Sequence, residues 1–204
     1  MEIYLIRHTK PAVDKGICYG QTDLQLAESF ADEWAIIRNC LPDRWQDIYS
    51  SPLTRCRLLA EAIADGRQVS YHNDLMELHC GEWEMRHWDE IPRAELDPWM
   101  ENFTEVLVPG GESYRQLYAR VVNRYEAIRR QVLENGGPTA IVAHGGVIRS
   151  ILSYVTGTAL VDSFRQFPLH YGSVAKLDLP TNGFSMLSNI EGSPEQHRPS
   201  TMKK

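Results

Sequence analysis

Two short runs with no polar face, residues 3–6 (Ile-Tyr-Leu-Ile) and 139–143 (Thr-Ala-Ile-Val-Ala), constrain the fold more than anything else in the chain. A strand that is apolar at consecutive positions must be covered on both sides, which is the situation of a central strand in a parallel sheet with helices above and below it. Each run leads directly into a histidine: Arg7-His8 follows the first and His144 the second. If the two strands are parallel neighbours, both imidazoles reach one sheet edge, and open α/β sheets bind their ligands outside the carboxyl ends of the strands.

The sequence between these runs alternates strand and helix signals, predicting an α/β fold with a mixed, mostly parallel central sheet and helices on both faces. Residues 9–25 carry Pro11, Gly16 and Gly20 and read as a long loop. A helix is expected over 27–40, where Phe30, Trp34, Ile37 and Leu41 share a face, and a strand over 47–50. Ser51-Pro52 then reads as an N-cap followed by proline at the first helical position, opening a helix over 53–65 with Arg55 in its first turn. A third strand is expected near 68–72, an irregular segment over 74–84, and a small irregular helical insertion over 85–110, rich in tryptophan and proline. The longest periodic stretch, 112–135, predicts a helix stopped by Gly136-Gly137-Pro138. A further helix is expected over 147–155, after Gly145-Gly146, and two antiparallel edge strands over 173–179 and 184–190. The reading is one domain over 1–191 followed by a polar tail, 192–204.

A chain of 204 residues with 43% apolar and 24% charged residues can bury a substantial core and is neither disordered nor fibrous. Lysine and arginine number 21 against 27 acids, a net charge of -6, which argues against nucleic acid or an anionic membrane as a partner. Any anion must therefore meet positive charge that is local. The first residues lack a basic leader and no stretch approaches a membrane span, so a cytoplasmic protein is expected, with Cys18, Cys40, Cys56 and Cys80 as unpaired thiols. The spacing of His79, Cys80 and His87 fits no common zinc pattern, and no metal or other cofactor is expected.

Arg7-His8, Arg55 at the start of a helix that leaves a strand, and His144-Gly145-Gly146 at the start of another supply two guanidiniums, two imidazoles and a helix N-terminus. That set suits a phosphate, because arginine binds phosphate oxygens through two parallel N–H groups and glycines let a helix terminus approach an anion. The segments LIRHTKP, SSPLTR, ELHCGEWE, PGGES and VAHGGVIR, spanning residues 5–149 in this order, resemble the successive motifs of the histidine phosphatase superfamily, its phosphoglycerate-mutase-like branch. The resemblance implies that His8 is the nucleophile and becomes phosphorylated. It implies further that Arg7, Arg55, His144 and Gly145 hold the phosphoryl group, with His144 cationic, and that Glu77 donates a proton to the leaving oxygen. A neutral imidazole is a competent nucleophile when an acceptor fixes its tautomer.

The chain departs from the family pattern at two positions. Thr9 replaces the usual glycine after the histidine, where its backbone carbonyl is still expected to orient His8. Asp14 stands where relatives often have a phosphate-binding asparagine, and it is left outside the site. Glu82 and Glu84 compete with Glu77 for the acid role, and Glu77 is preferred because the family acid precedes the HCG step. Glu112 is explained equally well as a helix N-terminal acid.

The loop KGICYGQTDLQL, residues 15–26, resembles the form found in α-ribazole phosphatases, which act in cobalamin nucleotide-loop assembly. The expected substrate is thus a small phosphorylated metabolite, α-ribazole 5′-phosphate, with Tyr19, Gln21, Trp83, Trp88 and Trp99 lining the leaving-group side. A broad-specificity phosphatase, a phosphoglycerate mutase and an inactive phosphate-binding relative are the alternatives.

Overall fold

The computed structural model describes residues 1–179, 181 and 183–190; the expected turn at Pro180 and Asn182 and the tail 192–204 lie outside them. Six strands, β1 (Glu2–Arg7), β2 (Asp47–Ser50), β3 (Ser70–Tyr71), β4 (Thr139–Ala143), β5 (Val174–Asp178) and β6 (Gly183–Ser188), form one sheet in the order β3-β2-β4-β1-β5-β6. β4 runs parallel to β1 and to β2, and β3 parallel to β2. β5 and β6 run antiparallel at the far edge.

The helices are α1 (Phe30–Arg38), α2 (Thr54–Ala64), α3 (Arg93–Glu101), α4 (Tyr114–Asn135), α5 (Gly145–Thr156) and the short α6 (Ser163–Gln166). Successive side chains of a strand point to opposite faces, so the two apolar runs feed two cores. Ile3, Leu5, Ile141 and Ala143 pack with Leu117, Val121, Tyr125 and Ile128 of α4 and Ile148, Ile151 and Leu152 of α5. Tyr4, Ile6, Ala140 and Val142 pack on the other face with Ile37 of α1 and Cys56, Leu59 and Ile63 of α2. A third cluster, away from the sheet, gathers Trp83, Trp88, Trp99, Ile91 and Leu96, so residues 85–110, including α3 and a 3₁₀ turn at Trp88–Glu90, have an aromatic core of their own.

Helix starts differ from expectation for identifiable reasons. α1 begins later because the Ala27 N–H donates to the Lys10 carbonyl (3.0 Å), which ties residue 27 to the preceding loop. Ser51 is not the N-cap of α2. The helix starts at Thr54, whose N–H and hydroxyl donate to the Asp23 carboxylate at 2.6 and 2.8 Å, so a distant loop residue serves this terminus. α4 starts at Tyr114, because Ser113 and Gln116 form a reciprocal capping box. α5 starts at Gly145, directly after the extended His144. Among the described residues no helix is long and apolar enough to cross a membrane.

Ser113 is buried and its hydroxyl accepts from the Gln116 N–H at 3.3 Å. Ser113→Ala is expected to lower unfolding stability by about 1 kcal/mol, measured by urea denaturation; an unchanged midpoint would show that the cap does not support α4.

Candidate active site

The β1–β4 register pairs Ile6 with Val142 and Arg7 with Ala143, so His8 and His144 leave adjacent strand ends together. The His8 N–H donates to the Ala143 carbonyl (3.0 Å), and the two imidazole centroids lie 5.1 Å apart, edge to face. His8 Nδ1 lies 2.7 Å from the carbonyl oxygen of Thr9. A carbonyl only accepts, so Nδ1 carries the proton and the neutral ring has its lone pair on Nε2. Thr9, one of the two positions at which the resemblance departs from its pattern, supplies this acceptor from its backbone.

His144 is fully buried, and its Nε2 lies 2.8 Å from Ser51 Oγ and 3.4 Å from Cys56 Sγ. Burial first, then the guanidinium of Arg55, His8 and Arg7, push its imidazole well below the ordinary 6.5. In the protein alone the ring is therefore neutral near pH 7; the expected His144 cation concerns the state with a phosphoryl group bound. The same burial raises the Cys56 thiol to about 12, so it faces His144 protonated.

Arg7 donates through one terminal nitrogen to the Leu169 carbonyl (2.8 Å), and its guanidinium carbon lies 4.4 Å over the Tyr171 ring. Arg55, fully buried on the first turn of α2, donates to the carbonyls of Thr22 (2.8 Å) and Gly20 (2.6 Å), with its guanidinium 5.2 Å from the Tyr19 ring centre. The hydroxyls of Tyr19 and Tyr171 are 2.8 Å apart, and burial raises the Tyr19 phenol well above 10.0. Each guanidinium therefore has a tyrosine ring beside it, and one hydroxyl–hydroxyl bond joins the two rings.

Glu77 belongs to the same neighbourhood. Its carboxylate accepts from the Gly146 N–H and from its neighbour Leu78 N–H, both at 3.0 Å. A Cβ at Gly146 would stand 2.4 Å from Glu77 Oε1, so glycine is what allows this approach. The segment carrying Glu77 is held from behind: Arg120 donates to the carbonyls of Asp74 (3.0 Å), Met76 (2.7 Å) and Glu77 (2.9 Å), and Gln21 Nε2 to that of Glu77 (3.0 Å). Glu112 pairs with Arg120 and accepts from the His79 N–H (2.9 Å), so it braces this segment and is not an acid opposing a helix dipole.

The structure thus brings Arg7, His8, Arg55, Glu77, His144, Gly145, Tyr19 and Gln21 to one sheet edge. Trp83 is a correction, as are Trp88 and Trp99, which are buried with it in the separate aromatic cluster. The Trp83 ring is fully buried among Trp88 and Trp99, and its indole N–H donates to Glu95 (2.9 Å), so it offers no face to a substrate. Asp14 is exposed. Sequence reasoning passed over Tyr171 and the role of Ser51. The signal for Tyr171 was its place just before β5, which begins at the sheet edge where β1 ends because the two are antiparallel. Among the described residues no group of three or more His, Cys, Asp or Glu side chains could hold a metal ion.

Comparison with known proteins gives a consistent picture. The family described as histidine phosphatase superfamily (branch 1) matches residues 3–190. A Hydrogenobacter thermophilus protein named "Putative phosphoserine phosphatase 2" is 31% identical over 165 residues, covering 78% of this chain and 80% of its own. The adenosylcobalamin/alpha-ribazole phosphatase of Salmonella typhimurium is 25% identical over 197 residues, 92% of this chain and 94% of that one. In fold, the α-ribazole phosphatase of Shigella flexneri superposes with a TM-score of 0.81 at 21% identity, over 95% of this chain and 98% of that one.

A folded-state pKa below the ordinary value means that only the unfolded chain takes up the proton between the two values. The stability that His144 contributes is fully present above about pH 6.5 and is lost as pH falls. Imidazole ¹⁵N shifts are expected to show His144 neutral at about pH 7 in the protein alone and protonated once inorganic phosphate saturates the site. A ring already cationic without an anion would contradict this electrostatic account.

Proposed function

The chain belongs to the histidine phosphatase superfamily, and from that premise we propose that it is a phosphomonoesterase that works through a phosphorylated His8. The observation that carries the reading is the Thr9 carbonyl 2.7 Å from His8 Nδ1, which leaves the nucleophilic lone pair on Nε2, in a neighbourhood where His8 and the buried guanidiniums of Arg7 and Arg55 all act on His144. His8 Nε2 attacks phosphorus and the ester oxygen leaves on the opposite side. Arg7 and Arg55 stabilise the charge on the equatorial oxygens. His144 starts neutral and gains its proton as the phosphate dianion cancels the positive field around it. Glu77, at the N-terminus of α5, protonates the leaving alkoxide, then takes a proton from the water that releases phosphate from His8. Gly145 lies where the helix terminus meets the transferring group. No metal or cofactor is required.

For the substrate, a small phosphorylated metabolite, α-ribazole 5′-phosphate is the first reading. Loop 15–26 supports it, as does the name of the Salmonella relative, and Tyr19 from that loop stands beside Arg55. With Trp83 buried, Tyr19 and Tyr171 are the aromatic groups next to the phosphate site. Phosphoserine is the second reading, supported by the name of the Hydrogenobacter relative. The protein is taken to act in the cytoplasm, as one domain with 85–110 as a helical insertion. The ratio of kcat/KM for α-ribazole 5′-phosphate to that for phosphoserine and simple phosphoesters decides between specific and broad activity. Turnover of 3-phosphoglycerate with phosphoryl retention would favour a mutase.

Two measurements test the mechanism. Rapid quench with ³²P-labelled substrate is expected to trap an acid-labile, base-stable phosphoenzyme that His8→Ala abolishes; label on serine would overturn the assignment. Glu77→Gln is expected to lower kcat by about 10²–10⁴ on alkyl phosphates and much less on p-nitrophenyl phosphate, whose leaving group needs no proton. Equal losses would assign the acid elsewhere.

A further inference from the structure

Glu84 closes the segment that also carries Glu77, yet the chemistry above does not use it. Its carboxylate accepts five hydrogen bonds: from the N–H groups of Gly20 (3.0 Å), Gln21 (2.8 Å), Thr22 (3.1 Å) and Cys80 (3.1 Å), and from the Thr22 hydroxyl (2.5 Å). Burial works to raise its pKa, but the bonds from Thr22, Gly20 and Gln21 outweigh that and hold it below the ordinary 4.5. The carboxylate is therefore ionised and held by four bonds from loop 20–22 and one from the Cys80 N–H.

That loop is also what holds Arg55. In a trans peptide the N–H and C=O of one plane point in opposite directions. Drawing the Gln21 N–H onto Glu84 turns the Gly20 carbonyl, which shares its plane, to the far side, where it accepts from Arg55 at 2.6 Å. The Thr22 carbonyl, on a residue anchored to Glu84 by both its N–H and its hydroxyl, accepts from the other terminal nitrogen at 2.8 Å. The loop has no slack, since a Cβ at Gly20 would stand 1.9 Å from the Leu78 carbonyl and 2.9 Å from Glu84 Oε1. Asp23, next in sequence, caps the helix on which Arg55 sits.

We propose that Glu84 is a positioning residue for Arg55: its carboxylate turns loop 20–22 so that two backbone carbonyls aim the buried guanidinium at the substrate phosphate. The proposal rests on the phosphatase reading of the site. Two acids of ELHCGEWE then have separate roles, Glu77 acting on the substrate and Glu84 acting through the loop.

The test is a double-mutant cycle of Glu84→Gln and Arg55→Lys, read on p-nitrophenyl phosphate and on inhibition by inorganic phosphate. In the parent protein Glu84→Gln is expected to lower kcat/KM by about a hundredfold, the scale of an ångström-sized misplacement of a charge-stabilising group, and to raise the phosphate Ki. In the Arg55→Lys background the same change is expected to cost less than about threefold, because the group it positions is already gone. Equal costs in both backgrounds, or no cost in the parent, would overturn the proposal. Should Glu84→Gln lose its cooperative melting transition, Thr22→Val, which removes one of the five bonds, enters the same cycle with the same criterion. A parent protein that neither hydrolyses the ester nor binds phosphate would overturn the phosphatase reading itself, whereas a turning-over parent with additive mutations would overturn only the role of Glu84.

Discussion

The side-by-side, parallel pairing of β1 with β4 is the constraint on which the rest of the site depends. Parallel strands finish on the same side of a sheet, and the register Arg7 to Ala143 sets how far apart the next residues stand. A slip by one residue would turn one strand's side chains to the opposite face, separating His8 from His144 and driving one set of core residues out of its cluster. The neighbours extend the same logic. β2 ends beside β4 and delivers Ser51 to His144, while antiparallel β5 starts beside the end of β1, where the Ser173 carbonyl accepts from the Arg7 N–H at 2.9 Å. The site is a set of strand ends whose relative heights are fixed by hydrogen-bond ladders deep in the core.

Within that frame two guanidiniums, those of Arg7 and Arg55, are buried. Arg55 has no solvent exposure, and among the described residues it meets two carbonyl oxygens and the Tyr19 ring but no carboxylate, so its position is fixed while its full charge persists. Burying an ion costs on the order of several kcal/mol, and the arrangement makes sense when an anion completes it. The neutral state of His144 is the other face of the same field: burial and the neighbouring guanidiniums disfavour an imidazolium. A net charge of -6 over the whole chain coexists with this pocket because the acids nearby are engaged with backbone N–H groups or with Arg120.

The sheet was legible because burial on both faces leaves a one-dimensional trace, and residues 3–6 and 139–143 carry it without polar interruption. Local order, however, was misread where the partner is distant. Ser51 had the sequence of a helix cap, but Asp23 takes the Thr54 N–H at that helix end, and the Ser51 hydroxyl, which accepts from the Leu53 N–H only at 3.4 Å, lies 2.8 Å from His144. Three glutamates within eight residues could not be ranked by spacing in an irregular segment. The backbone separates them: Glu77 meets the start of α5 and Glu84 meets loop 20–22. Trp83 looked like a stacking surface because a tryptophan near a loop motif has no periodicity to say which way it faces. Its burial among Trp88 and Trp99 is a tertiary property.

Position 9 and positions 20 and 146 show two different things that a motif glycine can mean. At Gly20 and Gly146 the missing side chain is itself the requirement, because a Cβ would collide with the Leu78 carbonyl in one case and with Glu77 in the other. At position 9 the requirement is a carbonyl oxygen 2.7 Å from His8 Nδ1, and any residue provides one. Thr9 is tolerated for that reason, although its buried hydroxyl has no hydrogen-bond partner among the described residues. An unmade bond of that kind costs about 1–3 kcal/mol, and it is met from the stability of the domain without touching the tautomer of His8. A departure from a motif therefore weakens a functional assignment only when the replaced atom is the one that acts, and here the acting atom belongs to the backbone.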